Sequence, residues 1–174
     1  MRILTFGLVL ATVVIAPNTI ATMTMDNHPS VLNFDPVDHA RKLECLAQNI
    51  YHEARGESEF GMFAVAYVTM NRVHSKDYPN DVCDVVHQGK TDSNGNPVRH
   101  KCQFSWYCDG KSDKITEEEV FADAKHVASY VIHHYDSSLD PTAGATMYHS
   151  VGVTPYWAES FEKTNEIENH IFYR

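Results

Sequence analysis

Ile50-Tyr51-His52-Glu53-Ala54-Arg55-Gly56-Glu57 is the stretch on which the reading of this chain turns. Upstream of it, and running into it, apolar residues fall at Leu43, Leu46, Ala47, Ile50, Tyr51 and Ala54. Their spacing is that of one helical face, so a helix is expected from Leu43 to a stop at Gly56. At 100° per residue, Glu53 lies about 20° from Leu46, on the edge of the stripe. Its carboxyl group then sits between core and solvent in the last helical turn. Partial desolvation and the negative end of the helix dipole both favour the protonated form there. A glycosidase's general acid requires that environment. The pattern alone equally allows a plain structural role, with Glu53 paired to a nearby arginine.

Working outward, a second helix is expected from Glu59 to about Val73, apolar on most of its circumference and so buried at the centre. Residues 87–114 read as irregular, with a turn cluster at 92–97. A third helix is expected from Thr116. Thr116-Glu117-Glu118-Glu119 has capping-box spacing, and Val120, Phe121, Ala124, Val127, Ala128, Val131 and Ile132 make its stripe. Asp140-Pro141-Thr142-Ala143-Gly144 reads as a loop. Residues 145–149 and 170–173 are short enough to be strands that pair with each other.

The chain has 174 residues, 43% hydrophobic, 21% charged and 11% aromatic, which suits one globular domain. A net charge of −9 argues against nucleic acid or an anionic membrane surface as partner. Met1-Arg2 precedes an uncharged apolar run over residues 3–16, the pattern of a secretory leader, with cleavage expected after Ala21. The run is shorter than the ~20 residues that span a bilayer. A lead-in over 22–42 and a catalytic domain over 43–174 follow from this division, and nothing in it calls for more than a monomer. After export, the four cysteines, Cys45, Cys83, Cys102 and Cys108, are expected in two disulfides. Three pairings are open. The close pair Cys102 and Cys108 suits a short loop, which would leave Cys45 with Cys83.

Several short segments resemble, in one order, the cell-wall hydrolase family that includes the spore cortex-lytic enzymes. They are Tyr51–Glu57, Ala64-Val65-Ala66, Asn71-Arg72-Val73, Cys102-Gln103-Phe104-Ser105-Trp106, Asp140–Ala145 and His170-Ile171-Phe172-Tyr173-Arg174. The resemblance implies a compact, lysozyme-like α+β domain, mostly helical with a short antiparallel β element, acting on peptidoglycan glycan strands. It implies that Glu53 is the catalytic acid. As in a lytic transglycosylase, Glu53 would protonate the oxygen bridging N-acetylmuramic acid to N-acetylglucosamine. It would then help deprotonate the muramic C6 hydroxyl, which closes on C1 to leave a 1,6-anhydro end. A hydrolytic muramidase or glucosaminidase on the same site is the nearer alternative, and it needs a second carboxylate or a well-placed water; a zinc amidase and a non-catalytic wall-binding protein are the more distant ones.

Further substrate contacts are expected from Glu57, Gln103, Ser105, Trp106, Tyr148 and His149. Gln103 and Ser105 offer hydrogen bonds to sugar hydroxyls, Trp106 a stacking face, and Tyr148 and His149 belong to a polar-aromatic group with Tyr156 and Trp157. The competing reading makes Glu57 an ion-pair partner of Arg55 or Arg72; Arg55 and Asn71-Arg72 are expected to brace the helix ends. No cofactor is expected. His52-Glu53 begins like the zinc motif H-E-x-x-H, but its fifth residue is Gly56. No wall-binding repeat is legible beside the domain, so targeting is expected from the groove or a partner. The site of action is expected to be the periplasm or the outer wall. The late segments look most like Gram-negative and phage members.

Overall fold

The computed structural model describes residues 35–174. The leader, its cleavage after Ala21 and the lead-in up to residue 34 lie outside the described residues. The first helix, α1 (Pro36–Ala54), starts earlier than the apolar stripe suggests. Asp35 caps it, accepting from the backbone N–H of Val37 at 2.9 Å and of Asp38 at 3.3 Å, and Pro36 occupies the first turn, where its missing N–H costs nothing. Residues 36–42, read as lead-in, are therefore helical.

Helix α2 (Glu59–His74) is buried from Gly61 to Arg72 except at Phe63, in accord with its expected central position. A short helix α3 (Val82–Val86) follows, capped by Asp81. The stretch 87–114 is more ordered than expected. It holds a hairpin, β1 (Gly89–Thr91) and β2 (Pro97–Cys102), and a 3-10 turn at Ser105–Cys108. Asp92 gathers the hairpin turn by accepting from the N–H of Asn94 and Asn96, both at 2.9 Å. Both strands are mostly exposed, so no apolar alternation announced them.

Helix α4 (Glu118–His134) begins after Thr116, and the expected capping box does not form. Thr116 is engaged elsewhere: its N–H donates to the Tyr51 hydroxyl at 3.3 Å. Glu118 and Glu119 still occupy the first turn, where the dipole favours them.

The C-terminal sheet has the antiparallel order β3-β5-β4, from β3 (Met147–Ser150), β4 (Lys163–Ile167) and β5 (His170–Tyr173). The expected pairing of β3 with β5 is present, with Tyr148 opposite Phe172 and His149 opposite Ile171. Strand β4 went unrecognised because only Ile167 in Lys-Thr-Asn-Glu-Ile is buried.

Helices α1, α2 and α4 enclose the larger core, centred on Leu46, Ile50, Val65, Val127 and Val131. The sheet packs on the other side of α2 through Ala64, Val68, Ala145, Ile167 and Phe172. Tyr148 touches both clusters. The fold is thus α+β and mostly helical, stapled by Cys45–Cys83 and Cys102–Cys108. With 38 and 6 residues of separation, chain entropy assigns about 4 and about 2 kcal/mol to the two bridges. Among the described residues, no helix is long and apolar enough to cross a membrane.

Candidate active site

Glu53 lies in the last turn of α1, at the mouth of a polar groove of ≈ 290 Å³. Its neighbours on that groove include His52, Ser105 and Trp106. Burial pushes the Glu53 carboxyl above its ordinary value of 4.5. A hydrogen bond from the Tyr148 hydroxyl to Glu53 Oε2, at 2.9 Å, and the charge of Arg72 pull in the opposite direction but do not overcome burial. Tyr148 is itself so enclosed that its hydroxyl holds its proton far beyond the usual phenol range and remains a donor.

Arg72 is 4% exposed and sits in the last turn of α2. Its Nε donates to the Thr146 carbonyl at 2.7 Å, and its guanidinium lies over the Phe104 ring at 4.7 Å. Its buried Nη1 has no hydrogen-bond partner among the described residues, and none of their carboxylates pairs with it within 4.0 Å. Asn71 beside it donates to Asp140 Oδ2 at 3.0 Å and to the Ala145 carbonyl at 2.9 Å. These two side chains tie the 140–146 loop to α2. That loop leads directly into β3, which carries Tyr148 to Glu53. The bracing role expected of Asn71 and Arg72 therefore acts on the site itself.

The groove floor is held by a second network. Trp106 Nε1 donates to Asn49 Oδ1 at 2.9 Å, and Asn49 Nδ2 donates to Thr69 Oγ1 at 3.1 Å. The Trp106 ring stacks on His52, with centroids 4.4 Å apart and planes 20° apart. Burial keeps the His52 imidazole below its ordinary value, which favours the neutral ring.

The structure brings Glu53, Ser105, Trp106 and Tyr148 together and separates them from Gln103, Glu57 and His149. Ser105 is exposed on the groove, free to meet a ligand. Trp106 is buried, with one ring face covered by His52, so it anchors the floor and offers no open stacking platform. Gln103 is exposed and does not line the groove; its N–H donates to the Gln88 carbonyl at 2.8 Å. Glu57 faces a different depression, shared with Asp123 and His126, and accepts from Asn169 Nδ2 at 3.0 Å. It pairs with neither Arg55 nor Arg72; Arg55 instead lies 3.8 Å from Glu117.

His149 is on the opposite face of β3 from Tyr148. Its Nε2 is 2.9 Å from the Tyr173 hydroxyl, and Trp157 meets the ring edge-on at 5.6 Å. Tyr156, grouped with them in the sequence, is 95% exposed. Sequence reasoning named both Glu53 and Tyr148 without pairing them, and it gave Arg72 no electrostatic part. Only the long-range placement of β3 against α1 and α2 supplies both.

The pattern that defines the Cell Wall Hydrolase family matches residues 56–173, starting just past Glu53. The spore cortex-lytic enzyme of Halalkalibacterium halodurans is 28% identical over 131 residues, covering 75% of this chain and 34% of that protein. Its counterpart from Bacillus cereus is 26% identical over 131 residues, covering 75% of this chain and 43% of that protein. The chain thus spans well under half the length of these curated relatives. The catalytic domain of the germination-specific lytic transglycosylase SleB from Bacillus anthracis is 27% identical, with a TM-score of 0.60 over 83% of this chain and 100% of that one. The catalytic domain of SleB from Bacillus cereus is 25% identical, with a TM-score of 0.56 over 78% and 91%. With more than half of its residues inside the family pattern and its fold shared with those catalytic domains, the chain belongs to the cell wall hydrolase family.

Proposed function

We propose that this chain is a peptidoglycan glycosidase that cuts between N-acetylmuramic acid and N-acetylglucosamine as a lytic transglycosylase, with Glu53 as acid and then base. The observation that carries this reading is the Glu53 carboxyl: burial favours its protonated form, one donor among the described residues touches it, and it lines a polar groove. A protonated carboxyl is what a leaving glycosidic oxygen requires.

Once the proton has passed to that oxygen, Glu53 is a buried carboxylate. The Tyr148 hydroxyl already points at Oε2, and the Arg72 charge acts through a low-dielectric interior. Both favour the anion, so the environment resists ionisation before the reaction and supports it during the reaction. The carboxylate then accepts the proton of the muramic C6 hydroxyl as that oxygen closes on C1. Glu53 regains its proton and the strand leaves with a 1,6-anhydro end.

Asp109 and Asp113 line the same groove, and they are the carboxylates a hydrolytic outcome would use to activate water. The chain acts in this reading as an exported monomer in the periplasm or outer wall, of bacterial or phage origin, and needs no metal. Mass spectrometry of peptidoglycan digested by wild type and by Glu53→Gln tests the assignment. Anhydro-muropeptides from wild type and none from the variant are expected. Reducing ends would replace the transglycosylase step with hydrolysis, and full turnover by Glu53→Gln would remove Glu53 from the chemistry.

A further inference from the structure

The groove beside Glu53 has an electrostatic character unlike that of the whole chain. The chain carries −9, yet Arg55, Lys111 and Lys114 all line this one groove. Against them stand Asp109 and Asp113, while burial favours the neutral form of Glu53. The cations are only loosely engaged. Lys111 Nζ is 3.5 Å from Asp109 Oδ2 with its side chain 84% exposed, and Arg55 is 3.8 Å from Glu117. Lys114 makes no ion pair within 4.0 Å among the described residues. Both lysines come from the 109–114 segment, which follows the Cys102–Cys108 bridge and forms the wall facing the end of α1.

Muramic acid carries a lactyl ether at C3, from which the stem peptide hangs, and that peptide's carboxylates are the anionic part of the strand. Lys111 and Lys114 line the same groove as Glu53, so a strand whose bridging oxygen reaches Glu53 lies beside these ammonium groups. Long, flexible ammonium side chains suit a mobile carboxylate better than a fixed sugar hydroxyl. We propose that Lys111 and Lys114 form a subsite for the carboxylates of the stem peptide, so that the groove selects glycan strands bearing peptide over bare strands. This rests on the glycosidase reading and adds a substrate preference to it. The two lysines are specificity residues; they take no part in proton transfer.

The test compares kcat/KM on strands with intact tetrapeptide stems and on the same strands stripped by an amidase, with the lactyl carboxylates that the amidase frees then capped as amides. Wild type is expected to favour the peptide-bearing strands. In the double variant Lys111→Ala/Lys114→Ala the ratio of the two values should fall roughly three- to tenfold, the scale of two exposed ion pairs. The loss should appear in KM, and 0.5 M salt should reduce the wild-type ratio towards that of the variant. Lys111→Arg/Lys114→Arg should keep the preference. Strands whose stem carboxylates have been amidated should behave as stripped ones, which separates peptide carboxylates from any other anion on the wall. A ratio unmoved by the alanine variant, or a wild-type preference for bare strands, overturns the subsite and leaves the glycosidase reading standing. Full turnover by Glu53→Gln on both substrates overturns the glycosidase reading instead.

Discussion

Two clefts of this domain contrast in what surrounds them. The larger, ≈ 780 Å³, is walled by Phe60, Phe63, Tyr67, Tyr130 and Leu139, and its one carboxylate is Asp140. All of that group's capacity is committed. It accepts from Thr142 N and Oγ1 and from Gly144 N, each at 2.7 Å, and from Asn71 Nδ2 at 3.0 Å. Its task is to shape the 140–144 loop, where Ala143 and Gly144 both adopt positive φ, 54° and 82°. The smaller groove, ≈ 290 Å³, is lined mostly by polar residues and holds Glu53, whose largely buried carboxyl meets a single donor among the described residues. Donor-rich surroundings make a carboxylate a structural staple. Burial with few donors favours a carboxyl that keeps its proton. The two clefts thus differ in the donors on their acids as well as in volume.

The largest expected effect separates the clefts outright. Glu53→Gln should lower the rate of glycan cleavage by roughly a thousandfold, within the range for loss of a general acid. Leu139→Ala, in the large cleft and 92% exposed, should change it less than twofold. Dye release from labelled sacculi reads both. Comparable losses in the two variants would mean that the large cleft belongs to the active site.

A smaller effect sharpens the account of the groove. Tyr148→Phe removes the hydrogen bond that favours the Glu53 carboxylate. Turnover should fall roughly tenfold, the scale of one bond to a charged group. The high-pH limb of the kcat/KM profile should meanwhile move upward, because the acid loses a group that stabilised its ionised form. A limb that stays in place would mean Tyr148 does not act on Glu53.

The smallest effect is on stability. Burial raises the Glu53 pKa above its unfolded value, so the penalty is absent below the ordinary 4.5 and grows as pH rises through the folded value. Glutamine does not titrate. Glu53→Gln should therefore melt above wild type at pH 7, and the gap should close below pH 4. Equal melting temperatures at both pH values would contradict a desolvated acid.

The helices were legible because their apolar residues repeat at helical spacing over several turns, and Glu53 could be placed on the stripe's edge for the same reason. The hairpin β1–β2 and strand β4 were not legible, since strands exposed on both faces carry no alternation. Thr116 misled because a capping sequence was diverted to the Tyr51 hydroxyl, a contact 65 residues away in sequence. His149 misled for a different reason. Tyr148 and His149 are both half-polar aromatics, so nothing in a strand of four residues fixes which one faces inward.

That ambiguity has a chemical meaning. The pairing of Met147–Ser150 with His170–Tyr173 selects which ring meets the acid. A slip by a single residue would withdraw the phenol that donates to Glu53 and turn His149 inward in its place. The phase of one short strand thus decides which side chain reaches the carboxyl at the end of a distant helix.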